Sequence, residues 1–539
     1  MKIKIFALLG IATLLFSACT KDNNLRVGST DGKAYMAFSI ALPSNHDSRA
    51  AVTNVGDANH QDTYVGSANE QAINSVRVVL FAANGGVSYA FDLNATTDGT
   101  TAIGGTDVAG TPTVSTFVSK GKEITVADYS LAVYINPTPA LLAATEEGSG
   151  TLTSASAIVD ARPASFTSGG VLMSNANGLV RVSSASFSGN INAAAAEAAP
   201  ISVNVDRAVA KIFVGINAGS TLTCSVTGAQ LGDEIKWLPN VTNKKMFWIR
   251  ELAPTVGGVT METAATSRYN RYAVDPNYLA SFKDMSAADL REEFNYATNA
   301  DDVNFVDIGY ADANGLYVLE NTMEATGQYK QVTTTAIARL NYAPKDIDLG
   351  ESWFRYNGMA FTVAEFKALM EQAVEESIAG DATEIAGVPV GLKEHVALFY
   401  RDLAEITTFD GSETYDVTYI DNKMAEGAFD ESWTGSNYLH YFHLGINYYD
   451  ILIRHFDDTQ EPTGQAYGRY GVVRNNIYKL DLVSVSGPGR PTIVPDGPGP
   501  GPGPGPGPGP GPDDEPSAFI SANVTVLPWF VRTQSVNLQ

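Results

Sequence analysis

A run of alternating glycine and proline, Gly497 to Pro512, constrains this chain more than any other stretch. Proline has no backbone N–H to donate and glycine has no side chain to pack, so the repeat cannot join a helix, a sheet or a core. Asp513, Asp514, Glu515 and Pro516 continue it as a polar tether. Beyond the tether, Ile520-Ser521-Ala522-Asn523-Val524-Thr525-Val526 alternates apolar and polar residues, the pattern of a half-buried β-strand. Extended Pro-rich chain spans about 3.1 Å per residue, so the tether reaches on the order of 50 Å, less where glycine breaks its stiffness. A strand held this way can leave its own body and pair with another, which predicts assembly by strand addition.

The opposite end carries an export signal. Lys2 and Lys4 precede the apolar run Ile5 to Phe16. That run is shorter than the roughly 20 residues a membrane-spanning helix needs. Leu15-Phe16-Ser17-Ala18-Cys19 then gives way to polar Thr20-Lys21-Asp22-Asn23-Asn24. The pattern resembles a bacterial lipobox, with Phe16 where leucine is commonest, and implies cleavage before Cys19 and lipid on its sulfur. An ordinary signal peptide with an incidental cysteine is the alternative. With Cys19 lipidated, Cys224 is left without a partner cysteine and no disulfide framework exists. Cys224 lies in the alternating stretch Thr221 to Val226, where a small buried thiol is the expected role.

The chain of 539 residues is too long for one ordinary domain, and two or three are expected. Its net charge of -24 repels phosphate backbones and anionic surfaces, which excludes nucleic acid as a natural partner. Short alternating runs rich in Val, Thr, Tyr and Phe predict strands at Ser75 to Phe81, Ile124 to Ile135, Ile201 to Val214, Tyr317 to Glu320 and Tyr448 to Ile453. Many short strands with turn residues between them predict an all-β fold of sandwiches with a few short helical insertions. The best helix is Thr362 to Ala379, with a Thr362/Glu365 capping box, an apolar stripe through Phe366, Leu369, Met370, Ala373, Val374 and Ile378, and Gly380 as its stop. A second starts at Ser286. The weakly structured Ala193 to Pro200 predicts a domain break near residue 199, so Arg207 and Lys211 fall on one strand of the second domain and are read as structural surface charges.

Met36, Phe38, Ile40 and Leu42 are apolar at every second position, a strand with one large-residue face. Pro43 ends it, and Ser44-Asn45-His46-Asp47-Ser48-Arg49-Ala50-Ala51 follows as a polar loop with one arginine. A protease specific for arginine would cut between Arg49 and Ala50 and release that strand. The loss would expose two strand edges and an apolar groove, a template for another strand. Ile520, Ala522, Val524 and Val526 offer the same period.

Catalytic constellations are missing: there is no Gly-x-Ser-x-Gly elbow, no phosphate-binding Gly-Lys loop and no His-Glu-x-x-His. His440 and His443, with His455 nearby, are the best metal lure, but residues three apart on one strand face opposite sides. Asp301, Asp302 and Asp307 form an acidic loop without the glycine and terminal glutamate of an EF-hand, with a surface calcium there left open as an alternative, and Glu375 and Glu376 are read as solvated. No enzyme, metal or cofactor is expected.

Several stretches in shared order carry a family resemblance: the lipobox at Cys19; Ala41-Leu42-Pro43 with Arg49-Ala50; Val205-Asp206-Arg207-Ala208-Val209-Ala210-Lys211-Ile212; Tyr317-Val318-Leu319-Glu320-Asn321; Val473-Arg474-Asn475-Asn476-Ile477-Tyr478; and Val524-Thr525-Val526-Leu527-Pro528-Trp529. By these the chain resembles the fimbrillins of Bacteroidales, the type V pilus subunits, and is most similar to the shaft subunits of the short (minor) fimbriae of Porphyromonas. A Gly-Pro tract stands where those relatives have a more acidic linker.

The resemblance implies two transthyretin-like β-sandwich domains plus a tethered C-terminal donor strand. Residues 1–18 are then the lipoprotein signal peptide, 19–49 a propeptide with the removable strand, 50–199 and 200–496 the two sandwiches, 497–516 the linker and 517–539 the donor segment. It further implies Cys19 as the lipid anchor of an outer-membrane precursor, Arg49-Ala50 as the maturation site of an arginine-specific protease, and Ile520 to Trp529 as the core of the donor strand. The partners implied are further copies of the chain, minor tip and anchor subunits, and host or bacterial surface receptors. The membrane is met only through the precursor's lipid. The reading is a structural shaft subunit of a surface fimbria that supports adhesion. Two alternatives stay open: a monomeric surface-anchored lipoprotein that binds glycan or host protein, and a fimbrial tip adhesin. Neither needs both a removable first strand and a tethered last one.

Overall fold

The computed structural model describes residues 32–42, 67–106, 112–252, 255–256, 259–260, 273–278, 285–298, 304–323, 327–328, 331–356, 358–366, 368–369, 439–453, 455, 470–493 and 520–528. Its elements are mostly short strands with a few short helices between them.

The N-terminal half opens with β1 (Lys33–Met36), β2 (Phe38–Ala41) and a single-turn helix α1 (Ala68–Gln71). There follow β3 (Val76–Phe81), β4 (Val87–Leu93), β5 (Gly99–Thr106), β6 (Pro112–Ser119), β7 (Lys122–Thr125), β8 (Tyr129–Ile135), β9 (Met173–Asn175), β10 (Val180–Val182) and β11 (Ile201–Arg207). Nine of these strands form one sheet in the order β4-β3-β8-β9-β11-β2-β6-β5, with β10 also on β8, while β1 pairs separately with β7. The sheet wraps around its own core. Phe38, Ile40, Phe117 and Val203 of one limb meet Val78, Leu80, Leu131 and Val133 of the other.

β3 shows how sequence sets this geometry. All six of its residues are buried, so both of its faces are covered. Val76, Val78 and Leu80 enter the N-terminal core, while Val79 and Phe81 join a second cluster with Trp248, Leu319 and Ile477. Arg77, the one charge in the strand, donates to Asp92 Oδ2 at 2.6 Å and to the Thr145 carbonyl at 2.9 Å.

The C-terminal half contains β12 (Ala210–Gly215), β13 (Lys236–Asn240), α2 (Ala287–Glu293), β14 (Leu316–Val318), β15 (Thr335–Ala343), β16 (Trp353–Tyr356), β17 (Met359–Thr362), β18 (Leu439–Phe442), β19 (Ile446–Leu452), β20 (Asn476–Val485) and β21 (Ile520–Pro528). One sheet joins β21, β20, β12 and β14, and another joins β19, β15 and β13. They face each other as a sandwich. Ile212, Val214, Tyr478 and Leu480 pack against Trp237, Ala338, Leu340 and Tyr449. Trp353 closes one end, its ring stacked on Phe442 at 4.0 Å between centroids and its Nε1 donating to the Tyr342 carbonyl.

The two helix starts carry the expected caps. Thr362 N donates to Glu365 Oε2 at 2.8 Å while Glu365 N donates to Thr362 Oγ1 at 3.2 Å. Phe366 is buried and stacks on Phe354; residues 370–379 of the expected helix lie outside the described residues. Ser286 caps α2 through Asp289 N in the same way.

Three expectations need correction. The stretch 124–135 is not one strand: β7 ends at Thr125 on β1, and β8 starts at Tyr129 on β3. The stretch 201–214 is two strands of different sheets. β11 pairs with β2 and β9 in the N-terminal half, β12 with β14 and β20 in the C-terminal half, and buried Ala208 and Val209 make the changeover. A period of two runs through both strands and does not register a change of sheet. For the same reason Arg207 and Lys211 are not surface charges: both lie where the halves meet, and both are buried.

Candidate assembly strands and the seam between the halves

The first strand lies inside a sheet. β2 runs parallel to β11, Phe38 opposite Ile201 and Ile40 opposite Val203, and antiparallel to β6, Ile40 opposite Phe117. Phe38 N donates to the buried Ser119 Oγ, and the Phe38 ring lies 6.3 Å from that of Phe91. Met36, Phe38, Ile40 and Leu42 are all no more than 2% exposed. At roughly 1.5–3 kcal/mol for each large apolar side chain, these four contribute on the order of 10 kcal/mol of burial. The strand bends at Ala37, whose carbonyl accepts from Ile201 N, and β1 then crosses to β7. Arg49 and Ala50, which follow β2 in the sequence, lie outside the described residues, as does Cys19.

The last strand is seated on its own chain. β21 runs antiparallel to β20 from Ile520 opposite Val485 to Pro528 opposite Asn476, with a bulge near Leu482. The register sets positions 522, 524 and 526 opposite Leu482, Leu480 and Tyr478, three residues of the C-terminal core. Ile520 is buried in that core and Ala522 packs against it. Trp529 and the Gly-Pro tract lie outside the described residues.

Charged residues gather where the halves meet. Glu70, on α1, accepts from Lys211 Nζ at 2.7 Å and from the Tyr317 hydroxyl at 2.6 Å, and its backbone carbonyl accepts from Arg207 Nε. Asp206 Oδ2 accepts from Arg250 at 2.5 Å, and Asp206 Oδ1 from Asn475. Arg474 donates through Nε to Glu320 Oε2 at 2.9 Å. Each of these charges is buried, which is tolerable only because each is ion-paired or, for Arg207, hydrogen-bonded to the Glu70 carbonyl and to Asn475. Nearby, Asp275 accepts from the backbone N–H of Thr322 and of Asn277 and from Asn243. Burial, reinforced by the neighbouring Glu320 charge, pushes its carboxyl up to about 7.

Sequence reasoning missed this seam. The available signal was the set of charges Asp206, Arg207 and Lys211 inside an otherwise small and apolar run. The histidines do not form a pair on one strand: His440 lies on β18, and His443 opens the short turn that follows it. His455 is buried with Nδ1 2.8 Å from the Tyr478 hydroxyl, and burial pushes it down to about 3. Among the described residues no three His, Cys, Asp or Glu side chains converge in a way that would hold a metal. Asp307 ends a short strand; Asp301, Asp302, Glu375 and Glu376 lie outside the described residues.

The sheets thus define an all-β protein in which strands from both ends of the chain complete separate sandwiches. Residues 440–535, which include β19, β20 and β21, match the family described as "Major fimbrial subunit protein type IV, Fimbrillin, C-terminal". Over this region the chain is similar to the C-terminal part of the fimbrillins. No curated protein matches it. Among solved structures, a fimbrilin of Porphyromonas gingivalis aligns at 13% identity over 93% of this chain and 99% of its own, with a TM-score of 0.38. The tip fimbrial protein Mfa3 of the same species, with a C-terminal truncation, aligns at 11% identity over 92% and 100%, with a TM-score of 0.32. A fimbrial assembly protein of Parabacteroides distasonis aligns at 13% identity over 58% and 84%, with a TM-score of 0.26.

Proposed function

We propose that this chain is the major, shaft-forming subunit of a surface fimbria that supports adhesion. It is exported as a lipoprotein through Cys19, cut between Arg49 and Ala50 by an arginine-specific protease, and polymerised by donor-strand exchange between two transthyretin-like sandwich domains. Its partners are further copies of itself, minor tip and anchor subunits, and receptors on host or bacterial surfaces.

The observation that carries this reading is the position of β2. It is an interior strand, paired on both sides, and the arginine-bearing segment follows it in the sequence. Removing it would leave β11 and β6 with facing unpaired edges over an apolar slot, which another strand can fill. The tethered segment from Ile520 to Trp529 supplies a strand of matching period, and leaving its place on β20 costs only contacts that a new seat can replace.

The test is the N-terminal residue of sheared surface polymer, together with an Arg49→Ala variant. Polymer chains are expected to begin at Ala50, and the variant is expected to remain a monomeric lipidated precursor. Undiminished polymer from the variant, with no cut at a neighbouring residue, would defeat the reading.

A further inference from the structure

We propose that Lys211 and Asp312 become joined by an amide bond between their side chains, formed by the folded protein itself with Glu70 as the proton-relaying catalytic residue. No activity of the kind follows from a fimbrial role, and the inference does not depend on that reading.

The geometry is that of a reactive pair rather than of a simple surface bridge. Lys211 lies on β12 opposite Tyr317 of the adjacent β14, and Asp312 opens the turn Asp312–Asn314 that leads into β14. The amine and the carboxylate therefore belong to neighbouring segments whose spacing the ladder fixes. Lys211 Nζ touches both Asp312 Oδ1 and, at 2.7 Å, Glu70 Oε1. The lysine side chain is 1% exposed and that of Glu70 0%. The Phe213 and Tyr317 rings flank the amine at 5.1 and 4.9 Å. The Tyr317 hydroxyl donates to Glu70 Oε1 at 2.6 Å and holds that carboxyl against the amine. Gly315 makes the approach possible, since a Cβ there would lie 2.4 Å from Lys211 Cε.

The step is a condensation with no redox change. A proton passes from Nζ to Glu70, and the freed amine attacks Asp312 Cγ. The C–N bond forms as one C–O bond breaks. Glu70 returns its proton to the departing oxygen, which takes a second from the nitrogen and leaves as water through the exposed side of Asp312. Holding amine and carboxyl in contact corresponds to effective concentrations of about 10⁵–10⁸ M in well-oriented intramolecular reactions. Excluding water from the lysine and from Glu70 removes the competing solvation of the amine.

The experiment is the intact mass of the purified, folded chain after denaturation, with peptide mapping of its digest. Wild-type protein is expected to be lighter than its sequence by one water, with a peptide containing Lys211 linked to one containing Asp312. Asp312→Ala, which alters a side chain 42% exposed and so should fold, is expected at full mass. Asp312→Asn is expected to form the same link with loss of ammonia. Glu70→Gln is expected at full mass while keeping its fold by circular dichroism. Wild-type protein at full mass, or a water loss that maps elsewhere, overturns the proposal and leaves Lys211 as an ion pair only.

Discussion

Arg474 meets Glu320 twice: its backbone N–H donates to Oε1 at 3.2 Å and its Nε to Oε2 at 2.9 Å, with both side chains no more than 2% exposed. The guanidinium also donates through Nη2 to the Phe247 carbonyl. One side chain thus ties the residues before β20 to those after β14 and to the segment around Phe247. Removing one member of such a buried pair leaves the other desolvated and uncompensated.

Glu320→Gln should therefore destabilise the folded chain by about 3–5 kcal/mol. The measurement is the midpoint shift in urea unfolding, compared at constant slope. A loss below about 1 kcal/mol would show the pair to be solvated, as exposed pairs are.

The pH profile should carry the mark of Asp275. Its folded carboxyl titrates near 7, above the ordinary range near 3.8, because burial disfavours the charge. The folded state then holds a proton that the unfolded chain has released, so this residue lowers stability as pH rises from about 4 to about 7. His455 works in the opposite sense. Its folded value near 3 lies below the ordinary 6.5, so its contribution rises with pH between those values. Asp275→Asn should remove the falling component, and the stability difference between wild type and variant should change steadily across pH 4–7. A difference flat across that window would place Asp275 in contact with water.

Phe38→Ala should cost about 3–5 kcal/mol in the uncleaved chain, as large-to-small changes in a packed core do. The proposed maturation removes residue 38, so the substitution should leave the stability of the mature subunit unchanged once cleaved. Thermal unfolding of both forms separates the two effects. An equal loss before and after cleavage would mean that the strand is retained.

The tail can be tested with one substitution at adjacent positions. Position 524 stands opposite Leu480 of the C-terminal core, and position 525 opposite Lys479. Alternation along a strand puts the two on opposite faces. Val524→Asp should abolish the high-mass ladder on an unboiled gel, because an inward charge is desolvated without a partner. Thr525→Asp should be mild. Equal effects at the two sites would rule out this facing.

The tether should act through its reach. Replacing Gly497 to Pro512 by a Gly-Ser segment of equal length should preserve assembly, while deleting it should lower the effective concentration of the strand towards zero. Normal polymer from the deletion would show that reach is not its role.

The sequence was most legible where one strand meets one environment. Val76 to Phe81, the strand Ile446–Leu452 at the expected Tyr448 to Ile453, and the Thr362/Glu365 cap follow directly from periodicity and capping chemistry. It was least legible at the seam. Arg207 and Asn475 are partners across 268 positions, and nothing local to Arg207 announces that. A lone charge in a strand is solvated far more often than buried, so the default reading put Arg207 and Lys211 outside. The same limit hid the seat of β21 on β20, since a strand's own period tells which face it buries and not which neighbour it chooses.

The two-residue changeover at Ala208 and Val209 has a mechanical consequence. No slack separates β11 from β12, so a pull applied to the N-terminal half arrives at β12 undiminished. β12 lies parallel to β20, from Lys211 beside Ile477 to Gly215 beside Asp481, and such a pull along the strands loads those ladder bonds in shear, all at once rather than one after another. The joint between the halves is thereby built to resist stretching along the chain more strongly than peeling across it.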